Sequence, residues 1–277
     1  DFKANCFLPA GGIKPAFIEG KSYVASSGVS SHVRKAPQSI PDLDNSFLDN
    51  INLQFNSNSF SDSLVYELSD NIHWKFSQTT ILHNLTERKL SNKSWSGNIV
   101  LRSNDVITID STCHLDKVLI VARKVVFNEG FKGKVHVVAS DSIICNEKTN
   151  FLFPSSMVIY NKEASSSGLR LIQFSEESSF FGGIVAYTES KAGEANCFVK
   201  FSSTSDINGS VYSSGYVHME GNFNANVIAR KLLIKTPSAA YENHILSCQL
   251  NPAKYAGLIS IPFLFKKSSD WRRCERI

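Results

Sequence analysis

The stretch Val118–Ile144 (VLIVARKVVFNEGFKGKVHVVASDSII) carries one short phrase twice. The first copy is Ile120-Val121-Ala122, followed by Val125 and Phe127. The second is Val137-Val138-Ala139, followed by Ile143 and Cys145, and the two alanines lie 17 residues apart. A strand–bend–strand unit of that length cannot bury its apolar side alone. Stacked on copies of itself it can, and 17 residues are what one coil of a β-solenoid needs.

The same grammar extends along the chain. Ile99-Val100-Leu101 and Val106–Ile109 precede the pair, and Met157–Tyr160, Leu169–Ile172, Ile184–Tyr187 and Phe198–Phe201 follow it. Val211-Tyr212-Ser213 and Val227-Ile228-Ala229 close the series. The later small residues, at 186, 213 and 229, are spaced by 27 and 16. A short coil therefore recurs, and some coils carry insertions, such as Asn161–Gly168 and Ser190–Ala195, which project from one side of a stack. These unequal lengths exclude a strict hexapeptide rhythm. Asn208-Gly209 is the one asparagine–glycine turn, so hairpins are disfavoured against parallel coils joined by bends. The expected fold is mostly β, a right-handed parallel β-helix over 97–250, with a β-sandwich as the alternative.

What flanks the coils reads differently. Residues 1–96 are expected to form an N-terminal cap. In it, Ala16–Val33 holds two β-prone runs split by Gly20 and Gly28, expected as a hairpin or irregular cap. Leu43, Phe47, Ile51 and Phe55 recur every four residues, and Asp42 or Asp44 can cap the first turn, which predicts a helix near 43–55. Its apolar stripe is expected to close one open end of the solenoid, with Phe47 and Ile51 buried against the first coils. Residues 251–277 combine the apolar run Tyr255–Phe265 with a basic tail, and the run is expected to pack on the solenoid side. It is too short to span a membrane.

Charge and cysteine usage narrow the function classes. A net charge of +4 is too mild to argue for nucleic acid. Six cysteines, at 6, 113, 145, 197, 248 and 274, include no CxxC pair, which removes support for a zinc or thioredoxin-type site. Buried thiols behaving as small hydrophobes are expected, with disulfides open in an oxidising compartment. The chain begins at Asp1, without Met, so an upstream signal or anchor is expected to have been removed.

No motif of a nucleophile elbow, zincin, phosphate loop or dinucleotide fold occurs, and no cofactor or metal is expected. The nearest thing to an acidic cluster is Asp105, Asp110 and Asp116, whose spacing puts them at bends, where Asp is favoured for turn hydrogen bonds. His218 and Glu220 form a second pair. If Val217 and Met219 point inward, both project from one outer strand face, where solvation explains them as well as acid–base chemistry does. His136 also alternates outward, with Lys124 and Asp141 expected near it on adjacent coils. Phe151, Phe153, Phe180 and Phe181 are expected in the core, since an exposed aromatic row would signal glycan binding.

Two resemblances bear on these residues. Gly209–Ile245 (GSVYSSGYVHMEGNFNANVIARKLLIKTPSAAYENHI) resembles the bactofilin, or polymer-forming, style of β-solenoid, in which short glycine-punctuated units recur along each coil. The insertion-bearing coils and the long N-terminal segment depart from that compact family, which puts polymerisation of that kind in doubt. The combination of KPAFIEGKSYV, GFKGKVHVVASDSIICNEKTNFLFPSSMVIYN and TPSAAYENHIL is similar to uncharacterised Bacteroidetes envelope β-helix proteins with a pseudopilin-like N-terminal membrane anchor. This resemblance carries no catalytic residues. It implies an exported location, in the cell envelope, periplasm or cell surface, and a membrane connection upstream of Asp1. The function expected is a non-catalytic structural or assembly component, its partners other envelope proteins or further copies of itself. The alternative is a glycan-binding or polysaccharide-degrading β-helix, a reading by analogy of fold.

Overall fold

The computed structural model describes residues 68–161, 168–189 and 196–251 without interruption. It also describes 33–55 apart from residue 38, and short pieces at 6–8, 14, 16–18, 20–22, 64–65 and 265. It is mostly β with one helix among these residues, and its ladders are overwhelmingly parallel. Antiparallel pairing among the described residues is confined to the small hairpin around Gly20, the contact of Leu233–Lys235 with Ala240–Glu242, and an isolated bridge between Leu43 and Phe265. The face-to-face antiparallel sheets of a sandwich are not what pairs here.

The register resolves into three columns of rungs. One runs Asn71, Ser94, His114, and after Asp116 and Lys134 continues Asn150, Ser179, Asp206, Asn222, Gln249. A second is unbroken over nine rungs: Val65, Leu82, Val100, Leu119, His136, Ser156, Gly183, Ser210, Asn226. A third runs Leu90, Ile109, Phe127, Cys145, Phe174. Ala122 faces Ala139, and Ala186, Ser213 and Ala229 face one another in turn, so the small-residue phrase marks a true rung. Rungs extend back to Leu64–Val65 and Asn71–Trp74, so the ladder starts before Gly97, within the segment expected to be cap. Both long insertions leave the ladder at the same bend, between the second column and the third. Their tips lie outside the described residues, as do Pro252–Leu264 and the basic tail.

Inward positions from all three columns make one core, including Ile107, Ile120, Val137, Ile143, Ile172, Val199 and Val217 at zero exposure. Within it, phenylalanines pack ring to ring along the stack. Phe127 meets Phe131 and Phe151 at 4.8 and 4.9 Å, Phe174 meets Phe201 at 5.3 Å, and Phe201 meets Phe223 at 5.0 Å. Each such pair adds about 0.5–1.5 kcal/mol beyond its area burial, which gives one use for the abundance of Phe. Phe151 and Phe180 belong to this core as expected. Phe153 and Phe181 do not; they stack on each other outside it at 5.0 Å, with Phe153 about half exposed.

The second column is apolar on both of its sides, and the outer side is covered by the helix, Asn45–Phe55. The helix starts as its sequence dictates: the Asp44 carboxylate accepts the Ser46 amide at 2.8 Å, as an N-cap does. Leu48 and Ile51 are buried against Val121, Val138, Val158 and Val185. The Pro41 carbonyl meets Tyr212 at one extreme and the Phe55 carbonyl meets Arg102 at the other. Arg102, Val121, Val138, Val158, Val185 and Tyr212 are successive rungs, so the span is five steps, roughly 24 Å. A helix of 11 residues covers roughly 16 Å, and an extended Pro41–Asp44 supplies the rest at about 3.3 Å per residue. The helix therefore lies along the flank, across the strands, and does not close an end as expected. Val121 and Val138 explain why: their outward side chains leave an apolar flank that must be covered. Phe47, expected to be buried with Ile51, is half-buried at the helix edge.

Candidate functional site

The acidic residues singled out in the sequence do not converge. Asp105 lies at the bend before the third column and bonds Arg123 at 2.8 Å and Arg88 at 3.0 Å, one on each neighbouring coil. The Arg123 guanidinium holds its carboxyl below the usual range. Asp110, at the following bend, accepts Lys89 at 3.0 Å and the Thr112 amide at 3.2 Å, and these hold its pKa down to about 2. Asp116 sits in the first column, 3.4 Å from Lys134 of the next coil. Each carboxylate thus joins one coil to another through a basic partner.

His218 and Glu220 lie elsewhere. Val217 and Met219 are in the core, so the alternation places His218 outward, as expected. It is not solvated, however: the ring is 4% exposed and lies 6.5 Å, near-parallel, from Phe198. Its Nε2 is 3.6 Å from Glu220, and neither ring nitrogen has a hydrogen-bond partner among the described residues. Burial pushes its pKa down, with Glu220 opposing and Lys200 assisting. From Val106, beside Asp105, the rungs run through Lys124, Ser142, Leu171 and Phe198 to Tyr216, two residues from His218. Five steps are roughly 24 Å, far beyond the separation of two carboxylates acting on one bond. Among the described residues no group of three or more His, Cys, Asp or Glu could hold a metal ion. The five described cysteines are free thiols, with Cys113, Cys145 and Cys197 buried. Burial raises the pKa of the first two, which makes them poor nucleophiles.

Among the described residues, a groove of about 740 Å³ lies on the flank beside the helix. One wall is the helix stripe Phe47, Asn50, Ile51 and Gln54, at the spacing of a single helical face. The other is the bend between the first and second columns, which carries Lys117, Phe153 and Gly182. The floor is the outer side of the second column, from Val100 through Leu119 and His136 to Gly183. His136 shares a hydrogen bond with Ser156 at 2.8 Å across adjacent rungs, and burial lowers its pKa from the ordinary value. Lys124 faces Ser142 in the third column and is not the neighbour of His136 that alternation alone implied.

Sequence reasoning did not find this groove, because its walls come from residues 47–54 and from five coils at once. Gly183 held the one local signal, a glycine inside a strand. No family model, curated protein or solved structure matches the chain.

Proposed function

We propose that the chain is a right-handed parallel β-helix rod serving as a non-catalytic assembly component of a bacterial cell envelope or surface. The strong chirality of connections between parallel strands supports the right-handed reading. The observation carrying the assembly reading is the state of the two ends. Core residues are fully buried along the middle of the stack. Leu68, Ile72, Trp74 and Leu85 at its start, and Val227, Ala229, Leu232, Cys248 and Leu250 at its finish, are partly exposed. Asn71–Trp74 and Cys248–Leu250, both in the first column, pair on one side only among the described residues. A second copy stacked head to tail would continue the parallel ladder and bury both apolar ends. Such a contact is heterologous and propagates into a filament unless it closes into a ring. The envelope location rests on the resemblance described above.

The reading is tested by sedimentation over a wide concentration range with two variants, Ile72→Asp and Leu250→Asp. Wild-type protein is expected to form a growing series of species and each variant to stay monomeric. An equimolar mixture of the two variants is expected to stop at dimers, because one good head and one good tail remain. Wild-type protein that is monomeric throughout overturns the proposal. So does release of reducing ends or unsaturated product from a polysaccharide, lost in Asp110→Asn or Glu220→Gln, which would establish the enzymatic alternative.

A further inference from the structure

We propose that the groove beside the helix binds a single-chain fatty carboxylate, its acyl chain lying on the second column and its head group at Lys117. Gly183 is the first reason. Its neighbour Gly182 is required by the fold, because a Cβ there would sit 1.8 Å from the Ser155 carbonyl oxygen. A Cβ on Gly183 would meet nothing within 4 Å, and its φ lies outside the left-handed region. A glycine inside a strand weakens it, so a position with neither steric nor conformational need for glycine is kept bare at a cost to stability. What the missing side chain leaves is space on the groove floor.

The lining decides the chemistry of the occupant. The volume falls in the range of ligand sites, and the surface is mainly aliphatic and aromatic with a few polar groups, as such sites are. Those polar groups are largely engaged already: His136 with Ser156, Asn98 with Thr80 and the Gln78 carbonyl, Ser155 with the Leu152 carbonyl, and Gln54 through its Nε2 with the Asn50 carbonyl, while the Gln54 Oε1 is buried and unmatched. A sugar chain would bring many hydroxyls to a surface with few groups left to meet them. An extended peptide would lie on a sheet face, whose backbone groups are spent in the ladder, and would find no edge to pair with. An acyl chain needs neither. From Leu119, two residues after Lys117, to Gly183 the floor runs three steps, a trough of roughly 14 Å. Lys117 is the charged residue of the lining, which contains no Asp or Glu, so an anionic head is the complementary one.

The test is calorimetric titration of the full chain with sodium dodecanoate and, separately, with dodecanol. Wild-type protein is expected to bind dodecanoate more tightly than dodecanol. Gly183→Leu, whose Cβ meets nothing within 4 Å and whose branched end occupies the groove floor, is expected to abolish binding of both while keeping the wild-type thermal transition. Lys117→Gln is expected to weaken dodecanoate by up to about fivefold, the worth of an exposed ion pair, and to leave dodecanol unchanged. The ¹⁵N shifts of His136 are expected to move on dodecanoate addition, a readout that holds even if Gly183→Leu folds poorly. No binding to wild-type protein, binding that survives in folded Gly183→Leu, or unmoved His136 resonances would each overturn the proposal.

Discussion

The Tyr212 hydroxyl donates to the carbonyl of Pro41 at 2.8 Å, joining positions 171 residues apart. Both residues are buried, and burial pushes the Tyr212 phenol well above its ordinary pKa. The bond fixes where the N-terminal segment turns onto the flank. Tyr212→Phe keeps the ring and leaves the Pro41 acceptor unsatisfied, so it is expected to destabilise by about 1–3 kcal/mol in denaturant titration. An unchanged midpoint would show that water replaces the hydroxyl without cost.

The helix strap predicts an ordering of truncations. Ile51 is buried between helix and sheet, so Ile51→Ala is expected to cost about 2–5 kcal/mol. Phe47 is half-buried on the groove wall, so Phe47→Ala is expected to cost less than the roughly 3–5 kcal/mol of a fully buried aromatic. Equal losses for the two, measured by chemical denaturation, would contradict the flank geometry.

Adjacent glycines are expected to behave oppositely. Gly182→Ala forces a Cβ into the Ser155 backbone and is expected to lower the thermal midpoint by many degrees. Gly183→Ala meets open space and reduces the freedom of the unfolded chain, so a gain of about 0.4–1 kcal/mol is expected. Two parallel melting curves decide it.

Acid is expected to weaken the fold in two separate windows. Burial lowers the pKa of His136 and His218 from the ordinary 6.5, so the unfolded chain takes up their protons first. Stability is then complete above about 6.5, falls as pH drops below it, and levels off below the folded-state values. Asp110 has the opposite charge and the same sign of effect. Its contribution is present above the ordinary value of 3.8 and is lost as pH falls through about 2. His136→Gln and His218→Gln together are expected to flatten the upper window alone, read from denaturation midpoints against pH.

The repeated parallel strand was legible because its evidence is local. Alternation of apolar residues and the recurrence of Ala122 at Ala139 depend on strand geometry, which repeats every two residues whatever lies beyond. The spacing 186, 213 and 229 likewise survives as real register, insertions included. The helix and its Asp44 cap were legible for the same reason. Its destination was not. An apolar stripe states that a face must be buried, but end and flank satisfy it equally, and the choice lay in the outward side chains of Val121, Val138, Val158 and Val185, which meet the helix only in space. The same holds for the candidate residues. Asp105, Asp110 and Asp116 look like a cluster within twelve positions of text, yet each turns to a base on another coil. His136, Ser156 and Gly183 are spread over 48 positions and share one groove floor. Which side chains meet was settled by the parallel pairing of strands, since rungs about 4.8 Å apart can be 16 to 29 residues apart along the chain.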